Sequence, residues 1–119
     1  MLRPNGLIAV ALTPKLIDSE KSISYINQVT NQLLRRKSIG VKTLDPQESI
    51  YRANYFNNDN SNNFYTANGY NYHNGPEWVW LYGYYLMAVN RLEERCSDIT
   101  LKQINRVRNH LKVAQESDW

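Results

Sequence analysis

The sequence predicts an all-α fold on three observations: an amphipathic apolar repeat after Asp18, a second apolar run after Pro76, and a third amphipathic repeat after Thr100. Asp18 or Ser19 can cap the first helix, because a side-chain oxygen there accepts from an otherwise unpaired first-turn N–H. Its apolar residues Ile23, Ile26, Val29, Leu33 and Leu34 recur at three- and four-residue steps, which places them on one helical face. Arg35, Arg36 and Lys37 suit the negative end of the helix dipole, and the stretch from Ser38 to Gly40 is expected to close the helix. The second helix is expected to begin near Pro76, since a first-turn proline forfeits no hydrogen bond. It runs through Trp80, Leu81, Tyr84, Tyr85, Met87, Ala88, Val89 and Leu92. Those residues occupy nearly every face, so the helix belongs inside something larger, whereas a surface helix keeps a polar side. From Thr100 to about Ala114, Leu101, Ile104, Val107 and Leu111 alternate with Lys and Arg residues, an amphipathic and exterior pattern. Ile8 to Leu12 fits a buried helical turn or a strand, and periodicity does not separate the two over so short a run.

A chain of 119 residues is sized for one domain at most. Its hydrophobic share of 42% and charged share of 21% are those of a globular protein, and no run of about 18 apolar residues is present to cross a bilayer. The apolar stretch from Leu7 to Leu12 has no small-residue cleavage site after it, so no secretory signal is expected and the cytoplasm is the expected compartment. Cys96 is the only cysteine, which suits a reducing compartment and excludes an internal disulfide framework. No second histidine or cysteine stands at ligand spacing from His73, so no metal is expected, and no cofactor is implied. The net charge of +3 is scattered apart from Arg35 to Lys37. Nucleic-acid binding needs a clustered basic face and is not expected.

Between Asp45 and Pro76 the character changes. Tyr51, Tyr55, Phe56, Phe64, Tyr65, Tyr70 and Tyr72 are mixed with nine asparagines from Asn54 to Asn74, without helical or strand period. Asparagine and glycine at this density favour turns, and a long ordered loop is usually functional. For Asn57 to Asn63 the bland expectation is a mobile, low-complexity tip with Asp59 solvated inside it.

Sugars present hydroxyls at their edges and C–H groups on their faces, so a carbohydrate site pairs aromatic platforms with amide, carboxylate, guanidinium or imidazole groups. Both kinds concentrate in the run Asn71-Tyr72-His73-Asn74-Gly75-Pro76-Glu77-Trp78-Val79-Trp80. This run is expected at a loop-to-helix junction, where free N–H groups and a positive dipole end favour a pocket. Spacing alone makes Trp80, Tyr84 and Tyr85 core residues, since aromatic residues on a helix more often pack inside than hold a ligand.

Three anchors carry a resemblance to a known family: Leu2-Arg3-Pro4-Asn5, then Gly40-Val41-Lys42-Thr43-Leu44-Asp45-Pro46, then Asn71-Tyr72-His73 followed by Gly75-Pro76-Glu77-Trp78. In order and separation they resemble the last third of the glucosidase domain of eukaryotic glycogen debranching enzymes. The tail Glu116-Ser117-Asp118-Trp119 resembles the stretch that precedes a Gly-Leu-Pro-Glu-Leu-Thr-Asn-like motif in that family. More distantly, the turn at His73 to Trp78 resembles the Arg-Gly-Pro-x-Trp turn of other helical-toroid glycosidases. The resemblance implies part of an (α/α)6 toroid, incomplete within residues 1–119, with the aromatic and Asn-rich loop at 46–75 near the sugar pocket. It implies an inverting amylo-α-1,6-glucosidase, a parent that also carries 4-α-glucanotransferase activity, and glycogen or branched α-glucan as partner. The remainder of the debranching enzyme chain is then a partner too. Inversion needs two carboxyl groups roughly 6.5–9.5 Å apart. By resemblance the acid lies upstream of Leu2 and the base beyond Trp119, so the chain is expected to be inert alone. The implied substrate-binding residues are Arg3, Asn5, Asp45, Tyr72, His73, Glu77 and Trp78.

The residues themselves leave alternatives beside that reading. Glu77, between Pro76 and Trp78, could be a buried general acid, a sugar-hydroxyl ligand, or a first-turn glutamate complementing the helix dipole. Asp45 before Pro46 fits a turn cap as well as a pocket. Arg3 can donate to two adjacent sugar hydroxyls, and His110 reads as an exposed helical residue. The rival function is a stand-alone carbohydrate-binding or helical interaction module. Such a module would have to cover the all-round apolar helix at 78–92 by itself.

Overall fold

A computed structural model describes residues 1–34, 40–93 and 109. The architecture is helix-dominated. Helix α1 spans Gly6–Leu12, α2 spans Ser19–Gln28 and continues as a π-helical turn over Val29–Leu33, and α3 spans Trp80–Glu93. A short antiparallel pair, β1 (Val41–Lys42) and β2 (Glu77–Trp78), joins Val41 to Trp78 and Lys42 to Glu77. The expected third helix, the Arg35 to Lys37 cluster, Cys96, His110 and the tail from Glu116 lie outside the described residues.

The ambiguous segment near Ile8 is helical. Leu7, Val10 and Ala11 are buried at the helical i, i+3, i+4 spacing, and the helix stops where Thr13 folds back to bond the Ala9 carbonyl through both its amide and its hydroxyl, each at 2.8 Å. Asp18 caps α2 as expected, accepting from the Lys21 amide at 3.0 Å. Ser22, Ile26, Val29, Thr30 and Leu33 form its buried side. The regular helix is shorter than the apolar period suggests, because its last turn widens to π geometry and Leu34 is already extended. Wider turns rotate side chains relative to the α-helical phase.

The larger correction concerns Pro76. It is not a first-turn proline: it lies buried in the turn before β2, and its carbonyl accepts from the Thr43 amide at 3.1 Å. Helix α3 therefore begins at Trp80, four residues later. On α3, Leu81, Tyr82, Tyr85, Ala88, Val89 and Leu92 are buried, and they pack with Leu7, Val10 and Ala11 of α1 and Ile26, Val29 and Leu33 of the α2 limb. Burying each large side chain contributes about 1.5–3 kcal/mol. Across this core the Tyr85 hydroxyl meets the Thr30 hydroxyl at 2.8 Å. Thr30 gives its own proton to the Ile26 carbonyl at 2.7 Å, so Tyr85 is the donor. The apolar character of α3 on its remaining side is also seen: Trp80 and Met87, with Val79 just before the helix, are 51%, 40% and 56% exposed.

Candidate functional site

The loop between β1 and β2 is built from side-chain-capped turns. Asp45 accepts from the Gln47 amide at 2.9 Å, so it serves as a turn cap. Asp59 accepts from the Ser61 amide at 2.9 Å and the Thr66 hydroxyl at 2.7 Å, and Asn63 accepts from the Tyr65 amide at 2.9 Å. These bonds form Asx turns, in which a short polar side chain substitutes for a backbone acceptor. Asp59, expected simply to be solvated, has its carboxyl held below the usual range by the Ser61 and Thr66 bonds, since both favour the charged form.

A 3-10 helical stretch over Ala67–His73 follows, broken at Asn68 and Gly69, whose φ angles are 52° and 71°. A side chain at Gly69 would sit 2.8 Å from the Tyr55 ring, so glycine lets that ring lie against the backbone. Asn71 is buried within the turn and donates from Nδ2 to the carbonyls of Arg52 at 3.2 Å and Asn54 at 2.6 Å. Gly75 adopts φ 150°, and a Cβ there would collide with the Arg52 carbonyl. Its amide donates to the Thr43 hydroxyl at 2.8 Å. These are backbone constraints that only glycine meets without strain.

On this frame six rings form a continuous ribbon. Tyr72 touches Tyr55, His73 and Trp78 at centroid distances of 5.2, 5.0 and 4.9 Å. His73 meets Trp78 at 4.8 Å, Trp78 stacks on Trp80 at 5.6 Å, and Trp80 meets Tyr84 edge-on at 5.9 Å. Such pairs contribute about 0.5–1.5 kcal/mol each beyond area burial. Tyr55, Tyr72, His73 and Trp80 are exposed, while Trp78 is half-buried with its Nε1 out of water and unpaired among the described residues.

The structure therefore joins Tyr72, His73 and Trp78 in one surface. It also adds Tyr55 from the loop and Trp80 and Tyr84 from α3. Trp80 is exposed and not core, whereas Tyr84 is half-buried and packs against the core while its ring also meets Trp80. Tyr85 keeps its expected core place.

Arg3 is occupied by the protein itself. Its Nη1 donates to the carbonyls of Thr43, at 3.2 Å, and of His73, and its Nη2 donates to Asn74 Oδ1 at 3.0 Å. Its own carbonyl accepts from the Tyr25 hydroxyl at 2.7 Å, and burial pushes that phenol up to about 12. Arg3 thus pins the 73–74 turn to the end of β1. Asn5 is exposed at the start of α1 and makes no side-chain cap. Glu77 is exposed on β2, in register with buried Lys42. It lies on β2 and not in the first turn of α3, so the helix-dipole reading falls. Among the described residues no three His, Cys, Asp or Glu side chains gather closely enough to hold a metal ion, and no helix is long and apolar enough to cross a membrane.

Flat rings bordered by amides and backbone carbonyls suit a ligand with C–H faces and hydroxyl edges, the chemistry of a carbohydrate binder. Residues 1–119 match the family model described as amylo-alpha-1,6-glucosidase, and the chain belongs to that family. It is similar to the glycogen debranching enzyme of Saccharomyces cerevisiae, with 39% identity over 131 residues, an alignment covering 99% of this chain and 8% of the yeast protein. The chain thus corresponds to a small segment of that relative's length.

Proposed function

We propose that this segment forms one wall of the glucose pocket of an inverting amylo-α-1,6-glucosidase acting on single-glucose branch stubs of glycogen in the cytoplasm. The observation that carries the reading is the ribbon from Tyr55 through Tyr72 and Trp78 to Trp80, with Tyr55, Tyr72 and Trp80 exposed beside a turn pinned by Arg3 and shaped by Gly75. In this reading α1, α2 and α3 are part of an (α/α)6 toroid, and the outward apolar stripe of α3 at Trp80 and Met87 is covered by neighbouring helices. Tyr72 and Trp78 stack on the sugar face. His73, Glu77 and Asn5 offer polar edges, and Arg3 and Asp45 position the turns, Arg3 through Asn74 and Asp45 through Gln47. The two carboxyl groups that inversion requires come from outside residues 1–119, so the segment is inactive alone.

Glu77 is the place to test this. As a ligand of a sugar hydroxyl, Glu77→Gln in the protein expressed from its complete reading frame should lower stub hydrolysis about 10- to 100-fold, the size of one charged hydrogen bond. Both limbs of the pH–rate profile should remain. A general acid or base replaced by glutamine would instead remove one limb, and that result, in a folded protein, would overturn the assignment.

A further inference from the structure

The turn that carries Tyr72 also carries Tyr70, which belongs to a different surface. Ile50, Phe64, Tyr65, Tyr70 and Asn74 line a cavity of about 340 Å³, within the range of about 300–1,000 Å³ typical of small-ligand sites. Phe64 and Tyr70 are 83% and 67% exposed. Phe64 and Tyr65 are nonetheless held in place. Phe64 meets Tyr65 edge-on at 5.5 Å, and the Arg52 guanidinium lies 4.3 Å from the centre of the Tyr65 ring. Arg52 Nη1 is itself fixed by the carbonyls of Ser49 at 3.0 Å and Tyr51 at 2.7 Å. The backbone beneath is locked by the Asn63 bond to the Tyr65 amide and the Thr66 bond to Asp59. Rings ordered before a ligand arrives cost little further entropy on binding.

The lining carries no charged side chain, so neither a phosphate nor a carboxylate ligand finds a counter-charge in it. It offers ring faces, one aliphatic side chain and one amide. Asn74 accepts from Arg3 through Oδ1, which leaves its Nδ2 to donate. We propose that this cavity is a second glucosyl subsite, taking a unit of an α-glucan chain away from the branch stub. The inference rests on the proposed sugar-binding role of the Tyr72–Trp78 surface, to which Asn74 and the 67–73 turn connect it.

The test measures maltoheptaose affinity by calorimetry, together with glucose release from a short stub substrate, in protein expressed from its complete reading frame. Phe64→Ala and Tyr70→Ala should each raise the maltoheptaose Kd about tenfold, the loss of one ring's buried area. Tyr70→Phe should stay within about twofold, because the ring face remains. Short-stub hydrolysis and melting temperature should hold in all three variants. An unchanged Kd in both alanine variants overturns the subsite. So does a lowered melting temperature in either, which would mean that another segment of the protein packs these rings. A wild-type protein that binds maltoheptaose but releases no glucose defeats the proposed hydrolase role and leaves the subsite standing, whereas one that binds no α-glucan defeats both.

Discussion

The helical half and the looped half of this segment are held together by different physics. In the helical half, Leu7, Ile26, Leu33, Leu81 and Tyr85 are almost wholly out of water, and removal of apolar area from solvent dominates. In the looped half, Phe56, Phe64, Tyr70 and Tyr72 remain in solvent, and the chain is shaped by Asx turns, two glycine positions and the Arg3 clasp. A core spends its rings on packing, whereas this loop spends hydrogen bonds to keep rings outside. The division leaves exposed rings on turns that are set by side-chain and backbone hydrogen bonds.

The largest effect should come from the helical half. Leu81→Ala removes a fully buried side chain between α1 and α3 and should lower stability by about 2–5 kcal/mol, read from denaturant unfolding of the protein. A loss below about 1 kcal/mol would mean that this core is not what holds the segment. Gly75→Ala comes next: it forces a side chain into φ 150° against the Arg52 backbone, at a cost of about 1–3 kcal/mol for the backbone conformation. Its damage should be confined to the loop. Amide exchange should quicken at Gly75 and Arg52, whose N–H groups bond Thr43 and Asn74, while α3 amides stay protected.

A smaller effect should separate the halves by pH. Tyr25 and Tyr82, both in the helical half, are pushed from 10 up to about 12 by burial. The folded state therefore holds these protons more tightly than the unfolded chain. Their contribution to stability is complete below pH 10 and is lost as pH rises from 10 to about 12. Unfolding midpoints measured across that window should fall, and Tyr25→Phe should lessen the fall. A flat profile would contradict the burial of these two phenols.

The same division explains what the sequence disclosed. Helices α2 and α3 were readable because apolar residues at three- and four-residue steps are a local signal, and the Asp18 cap was readable for the same reason. The β1–β2 pair was not: two residues per strand leave no alternation to detect, and Pro76 mimics a helix start until its carbonyl is seen bonded to Thr43. In the loop, composition foretold turns and pointed to Tyr72, His73 and Trp78. It could not foretell that Tyr55 reaches Tyr72, or that Trp80 stays exposed on α3. Arg3 stands out as a polar residue within its motif, but its partners Thr43 and His73 are 40 and 70 residues away. No local pattern marks a residue as a clasp over such separations.

In the proposed reading the ring ribbon serves sugar hydrolysis. Trp78→Ala, made in the protein expressed from its complete reading frame, tests it most directly when glucose release from an α-1,6 stub and 4-α-glucan transfer are assayed on the same preparation. Loss of the ring that stacks on Trp80 and Tyr72 should lower stub hydrolysis about 100-fold, as a misplaced substrate does, while transfer changes by less than about twofold, within the ±0.5 kcal/mol of an uninvolved position. Equal losses in the two activities would contradict that reading and mean that Trp78, which packs against the core, acts mainly in folding.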